Sequence, residues 1–423
     1  MKVVAYPTYD SYKYSGVEWL GCVPSSWTLT RLGGLFDERK SKVSDKDFEP
    51  LSVTKNGIFP QLETAAKTND GDNRKLVKAG DFVINSRSDR KGSSGVSPLD
   101  GSVSLINIVL KPTGILPEFC NHILKSYAFV EEYYRMGHGI VADLWTTRYD
   151  EMCTIIMALP TPKEQRAIAA FLDEKCAKID EAVRIKEAQI GLLRERRQIL
   201  IQQAVTRGLN PDAPMKDSGI DWIGQIPAHW EVLPLKRLFR ERNDRSTTGT
   251  ETLLSLRMNE GLVPHDDVSD KAIDADALKD YKQVFPRQLV MNRMRASIGI
   301  FGVVTASGIV SPDYAIFDIA PRANADFFLQ LFKTGVMGQQ FRNASRGLGT
   351  GSSGFMRLYT DNFGAISVAL PPAAEQSEIV FHINDLLENI GDAVRLKEEQ
   401  IIMLKEYKTC LINAAVTGKI KVI

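Results

Sequence analysis

The chain repeats itself, and the repeat restricts its possible folds more than any other feature. Gly16-Val-Glu-Trp19-Leu-Gly21-Cys-Val-Pro24-Ser-Ser-Trp27 returns 203 positions later as Gly219-Ile-Asp-Trp222-Ile-Gly224-Gln-Ile-Pro227-Ala-His-Trp230. Leu32, Leu35 and Phe36 then match Leu235, Leu238 and Phe239. Leu51-Ser52 matches Leu254-Ser255, and Phe82-Val83-Ile84-Asn85 answers Leu289-Val290-Met291-Asn292. Ser94-Gly95-Val96-Ser97-Pro98 is set against Ser307-Gly308-Ile309-Val310-Ser311-Pro312. A second block closes each half: Leu159-Pro160 with Glu164-Gln165, and Leu370-Pro371 with Glu375-Gln376. Between Glu164–Thr206 and Glu375–Thr417 there are 18 identities. Each half therefore reads as a variable globular part followed by a similar helix, as repeat architectures do. The expected boundaries are 1–158 and 209–369 for the globular parts, with 159–208 and 370–423 helical.

Inside the globular parts, short apolar runs are broken by Gly, Pro and Asn. That pattern predicts many short strands with some helix, an α+β class. The segments after each Leu-Pro predict long helices, with Pro160 and Pro162 just outside the first and Gly208 and Pro211 ending it. Their apolar positions step by four and three: Leu172, Cys176, Ile179, Val183, Lys186, Ile190, Leu193, Arg197, Leu200 and Ala204. The second copy has Ile383, Leu387, Ile390, Val394, Lys397, Ile401, Leu404, Lys408, Leu411 and Ala415. Such a seam buries one stripe against a partner helix as a coiled coil. A helix of about 43 residues spans roughly 64 Å, more than one small domain covers. Paired antiparallel about a pseudo-twofold, the helices would put Lys186 and Lys397 near the centre as register-setting residues. Glu187 and Glu398 would be their charge partners.

Composition removes several classes. With 53 Lys and Arg against 52 Asp and Glu, the formal charge is +1, too little for a protein that coats nucleic acid by charge alone. Local basic loops remain possible. The five cysteines form no Cys-x-x-Cys pair and the five histidines stand apart, so no metal site is expected. Met1 to Tyr14 is polar, and no apolar run approaches the roughly 20 residues of a membrane helix, so the expected location is cytoplasmic.

The Gly-Ile-Asp-Trp222, Pro227-Ala-His-Trp230, Leu-Pro-x-x-x-Glu375-Gln376 and Ala415-Val416-Thr417-Gly418 blocks, each with its partner in the other half, resemble those of Type I restriction-modification specificity subunits. The resemblance covers nearly the whole chain. It implies two target-recognition domains reading a bipartite double-stranded DNA site, with the helices fixing the gap between half-sites. It implies two methyltransferase subunits and two restriction (motor) subunits as partners. It also implies that S-adenosylmethionine, ATP and magnesium bind those partners, with no catalytic residue or metal in this chain. Ser26 against His229, and Gly33-Gly34 against Lys236-Arg237, are small departures between the copies.

Base readout needs donors and acceptors at base edges, with cations for phosphates. The richest segment is Asn85 through Ser93, with Asn85, Arg87, Arg90 and Lys91 after an apolar strand-like run. Its counterpart holds Asn292, Arg293 and Arg295. A second set comprises His138 in the first half, and Arg342, Asn343, Arg346 and Arg357 in the second. A third comprises Lys55 and Asn56, with Arg257 and Asn259. A solvated turn is the competing reading for each.

Enzyme readings are weaker. Gly349-Thr-Gly351-Ser-Ser-Gly354 has the form G-x-G-x-x-G, but a basic polar segment precedes it where a strand should. Glu38-Arg39-Lys40 contains a Glu-x-Lys unit of the kind nucleases use with magnesium, in a charged stretch where such tripeptides are common. A self-sufficient DNA methyltransferase or nuclease, and a coiled-coil scaffold without sequence specificity, are the alternatives.

Overall fold

The computed structural model of the chain describes residues 6–62, 71–139, 145–270, 273–348 and 355–423. It forms two units, Met1–Glu187 with Glu398–Ile423, and Ala188–Lys397, each boundary falling inside a long helix. No helix among the described residues is long and apolar enough to cross a membrane.

In the first unit the strands Ser94–Val96, Phe82–Asn85, Asn107–Pro112 and Phe36–Glu38 form one antiparallel sheet in that order. In the second, Phe301–Val303, Leu289–Asn292, Tyr314–Ile319 and Phe239–Arg242 repeat the order. The inner strands carry continuous apolar runs because both sheet faces are covered. Phe82, Ile84, Ile108 and Leu110 face the main core, while Val83 and Val109 join Leu51, Ile58, Val77 and Val103 in a smaller one. The second unit divides likewise, Leu289, Met291 and Phe317 on one side, Val290 and Ile316 on the other. Each such side chain, fully buried, is worth about 1.5–3 kcal/mol relative to exposure.

This topology corrects one part of the repeat. Ser94–Val96 pairs with the strand Phe82–Asn85, so its equivalent is Phe301–Val303, which pairs with Leu289–Asn292. Gly308–Val310 pairs with Lys282–Val284 and instead answers Gly101–Val103, which pairs with Arg74–Val77. The shared Ser-Gly and Ser-Pro letters aligned two strands from different sheets.

The first long helix runs Pro162–Arg207, so Pro162 is its first residue and not a flanking one. A proline is favoured there because that N–H would have no intrahelical partner. The second runs Ala373–Val416. Behind each Leu-Pro, a buried glutamine ties the helix start to the globular part. Gln165 accepts from Leu116 N at 2.9 Å and donates to Pro160 O at 3.0 Å. Gln376 accepts from Asn324 N at 2.7 Å and donates to Arg322 O and Pro371 O, both at 2.9 Å.

Within the first unit the start of one helix runs antiparallel to the end of the other. Leu172 and Ile179 share a core with Leu411 and Ala415. Asp180 pairs with Lys408 at 2.7 Å, and Lys186 Nζ donates to Gln400 Oε1 at 2.6 Å. Gln400 thus joins Lys186 across the seam, and the Glu187 carboxylate lies 4.0 Å from Lys405. In the second unit Ile201, Ala204 and Val205 pack in one core with Ile379 and Ile383, again antiparallel. Arg197, expected in the seam like Lys408, is exposed.

The Trp-Pro-Trp blocks sit on the helix ends. Trp27 and Trp230 are fully buried. Gly418, at φ +72°, lies under Pro24 and Trp27, as Gly208, at φ +75°, lies under Pro227 and Trp230. Lys421 N donates to Pro7 O at 2.7 Å, and Lys419 Nζ to Leu20 O at 3.0 Å, extending the same junction.

A methyl group at 418 would stand 2.3 Å from Pro24 Cδ, and left-handed backbone disfavours alanine. Gly418→Ala should therefore cost on the order of 2–4 kcal/mol in urea unfolding. Gly391→Ala, in open space on a helix, should instead stabilise by about 0.5–1 kcal/mol. Replacing Lys186 with Leu removes a polar seam residue; a higher melting temperature with intact helicity is expected, and an unchanged one would deny Lys186 its register role.

Candidate nucleic-acid interface

Both central strands end in the same device. Asn85 Oδ1 accepts from Arg87 N at 3.0 Å and turns the chain into a single helical turn, Ser88–Arg90. Asn292 Oδ1 accepts from Met294 N at 3.1 Å and Arg295 N at 3.2 Å. The two asparagines, expected as base readers, commit their side-chain oxygens to these turns, and Asn85 is buried. A second segment then docks on the turn by backbone bonds. Thr147 N donates to Ser86 O at 2.9 Å, and Leu358 N to Arg293 O at 2.9 Å.

In the first unit this brings together side chains far apart in sequence. Ser88 N donates to Trp145 O at 2.9 Å, and His138 and Thr146 exchange backbone bonds of 3.2 and 3.0 Å. Arg87, Arg90, His138 and Trp145 are all exposed there. Arg90 lies 3.6 Å from Asp89, and His138 the same distance from Glu151. Lys91 bonds Glu131 at 2.6 Å. Lys55 and Asn56 form the exposed tip of the hairpin Leu51–Thr54 and Gly57–Pro60. Lys55 and Lys91 line one cavity of about 340 Å³ with Lys125 and Tyr127. Trp145 was not expected from sequence; a lone tryptophan carries no periodic signal, and only the docked segment places it beside Arg87.

In the second unit Arg257 and Asn259 stand at the equivalent hairpin tip, exposed, as is Arg295. Arg257, Arg295 and Asn292 converge on Tyr314. Burial raises the pKa of its phenol, while the two guanidinium charges and a hydrogen bond with Asn292 oppose the rise. Arg342 and Asn343 are exposed at the end of the helix Gly335–Ala344. Arg346 lies opposite Arg357 in the hairpin Arg346–Leu348 and Phe355–Arg357. Arg357 pairs with Asp313 at 3.1 Å. Arg293 is not a free finger: its side chain is 11% exposed and bonds Glu241. The glycine-rich segment 349–354 lies outside the described residues.

A part-buried charge pair recurs under both turns. Lys75 Nζ donates to Asn107 O at 2.8 Å and lies 3.7 Å from Glu38. Lys282 Nζ donates to Tyr314 O at 2.7 Å and lies 3.7 Å from Glu241. Burial lowers the pKa of both ammonium groups, against the pull of the glutamates. The signal was present in the repeat, since Glu38 and Glu241, like Lys75 and Lys282, hold equivalent strand positions. Glu38 of the Glu-x-Lys unit is thus tied into the sheet, and the intervening Arg39 bonds Asp81 at 2.6 Å. No group of three or more His, Cys, Asp or Glu among the described residues is placed to hold a metal ion.

The fold so defined has two α+β units, each completed by segments of two long antiparallel helices. It is the fold of Type I restriction-modification specificity subunits. The chain is similar to a chain solved in work on complex assembly and conformational transition of the type I R-M system, with TM-score 0.67, 15% identity, and coverage of 93% of this chain and 98% of that one. It is also similar to the HsdS subunit from Thermoanaerobacter tengcongensis, with TM-score 0.55, 15% identity, and coverage of 94% and 98%. No protein-family model matches the sequence.

The two classes of arginine separate experimentally. Arg87→Gln touches an exposed side chain and should change unfolding free energy by no more than about 0.5 kcal/mol. Arg293→Gln leaves Glu241 without its guanidinium and should cost about 1–3 kcal/mol in the same urea titration.

Proposed function

We propose that the chain is the non-catalytic, sequence-reading subunit of a Type I restriction-modification complex. The observation that carries this is the strand-end turn built twice in a specificity-subunit fold, each copy presenting exposed cationic side chains beside a docked second segment. Arg87, Arg90 and His138 would serve one half-site, and Arg257, Asn259, Arg295 and Arg346 the other. Positioning by phosphate contacts and specificity by base-edge contacts then come from the same short loops. The residue count of the helices joining the units would set the unread gap.

The methyl transfer, DNA translocation and cleavage belong to partners in this reading: two methyltransferase subunits and two restriction subunits, which would bind S-adenosylmethionine, ATP and magnesium. Large apolar side chains left exposed on the long helices support protein partners. They are Phe381 at 77%, Leu192 at 64%, and Ile402 and Met403 at 57% each. Such exposure on monomeric proteins marks interaction surfaces when contiguous.

Exchanging residues 40–158 for the corresponding segment of another such protein, then sequencing the sites methylated by the assembled complex, tests the proposal. One half of the target should change and the other persist. Methylation or cleavage by the pure chain with DNA, magnesium and S-adenosylmethionine would favour a self-sufficient enzyme. Equal binding to all sequences in the presence of methyltransferase subunits would favour a non-specific scaffold.

A further inference from the structure

The lysine–glutamate pair of the second unit sits in a setting not repeated among the described residues of the first. Arg245, Lys282, Arg293 and Arg357 line an open cavity of about 430 Å³ with Glu241, Asn243 and Pro312. Four cations there face one carboxylate. That carboxylate is already committed, one oxygen to Arg293 and the other to the Thr360 hydroxyl. Asp313 compensates Arg357 from the rim, where it is 60% exposed. Arg245 donates to Asp280 O at 2.8 Å and keeps its remaining N–H groups. The Nε–H groups of Arg293 and Arg357 are buried and have no hydrogen-bond partner among the described residues. Those two donors lie beneath the cavity wall; it is the excess of cationic side chains over carboxylates around the open cavity that points to an anionic acceptor there.

The equivalent place in the first unit is built differently. Lys42 stands opposite Lys75 as Arg245 stands opposite Lys282. The backbone bond from Thr147 to Ser86 matches that from Leu358 to Arg293, so Ser86 and Thr146 occupy the positions of Arg293 and Arg357. Ser86 Oγ donates to Ile106 O at 2.6 Å. Two guanidinium groups are therefore replaced by hydroxyl side chains.

We infer that the cavity of the second unit seats one phosphate of the DNA backbone, and that the first unit has no equivalent seat. This rests on the DNA-reading function proposed above. A backbone diester is favoured over a free anion because the seat adjoins the candidate contacts. Arg346 lies directly opposite Arg357 in its hairpin, and Tyr314, whose carbonyl holds Lys282, also feels Arg257 and Arg295. Guanidinium groups suit such an oxyanion because they donate two parallel N–H bonds.

The test measures binding of duplex DNA by the full chain, with methyltransferase subunits present, over a range of salt. Each phosphate contact contributes a slope of about 0.9 to the fall of log K with log salt. Arg357→Gln and Arg245→Gln should each lower the slope magnitude by about one while leaving sequence preference unchanged. Arg357→Lys should restore most of it, and Lys42→Gln should leave it unaltered. Melting curves identify any variant that fails to fold, and the other substitution then carries the measurement. A duplex with one methylphosphonate at the seated position should reproduce the loss in the parent and add nothing to Arg357→Gln. Unchanged slopes in both unit-two variants, with the parent still binding, would overturn the seat alone. Altered base preference at constant slope would make these side chains base readers and overturn it too. If inorganic phosphate raises the parent's melting temperature while the slopes stay equal, the cavity is a free-anion site and not a backbone seat. Failure of the parent to bind any duplex would overturn the proposed function itself.

Discussion

Everything in each unit depends on an apolar core that one stretch of sequence cannot close. The first unit's core takes Leu172 and Ile179 from the beginning of one helix, and Leu411, Ala415 and Val416 from the end of the other. The second takes Ile201 and Val205 with Ile379 and Ile383. Trp27 and Trp230 lie against the helix ends at Gly418 and Gly208, so the most repeated letters of the sequence are those at the junction of globular part and helix. Burial favours this closure, and the buried glutamines make it specific in direction. Gln165 and Gln376 each satisfy backbone groups that would otherwise lack partners, at a helix start and at the strand-to-helix connection before it.

The strand-end turns follow from the sheet. A strand covered on both faces has no room for polar side chains until it leaves the core, and Asn85 and Asn292 stand at that point. Their side-chain oxygens satisfy the backbone N–H groups freed by the turn, which is what short polar residues do well. The residues immediately after them are therefore held rigidly at the surface. Arg87 and Arg295 gain an exposed position, whereas Arg293 falls inward onto Glu241. Two copies of one scaffold thus present different charge at the same place.

How much of this was legible beforehand differs by element. The duplication, the long helices and nearly every seam position could be read from the 3-4 spacing. An apolar stripe is a local consequence of helical period, and Ile190, Ile401 and Leu411 are buried as that spacing requires. Exact strand equivalence was less legible, because short strands share letters such as Ser-Gly and Ser-Pro that turns anywhere can use. The hydrogen-bond register, which no local pattern encodes, moved Gly308–Val310 to a different sheet from the one expected. Arg197 and Lys408 show a related limit: aligned letters did not mean equal burial, since, among the described residues, only Lys408 of the two is paired with an acid, Asp180, across the seam.

The sequence alone therefore determined the two-part plan, the helical segments that complete it, and the chemical type of the exposed loops, because these rest on periodicity and on residues near one another in the chain. Only the tertiary structure decided which of those loops meet. Trp145 beside Arg87, Lys55 beside Lys91, and Arg245 with Lys282, Arg293 and Arg357 are brought together by sheet pairing and docked backbone, across separations that carry no local signal. It also divided the arginines into surface contacts and buried partners, because burial depends on how distant segments pack.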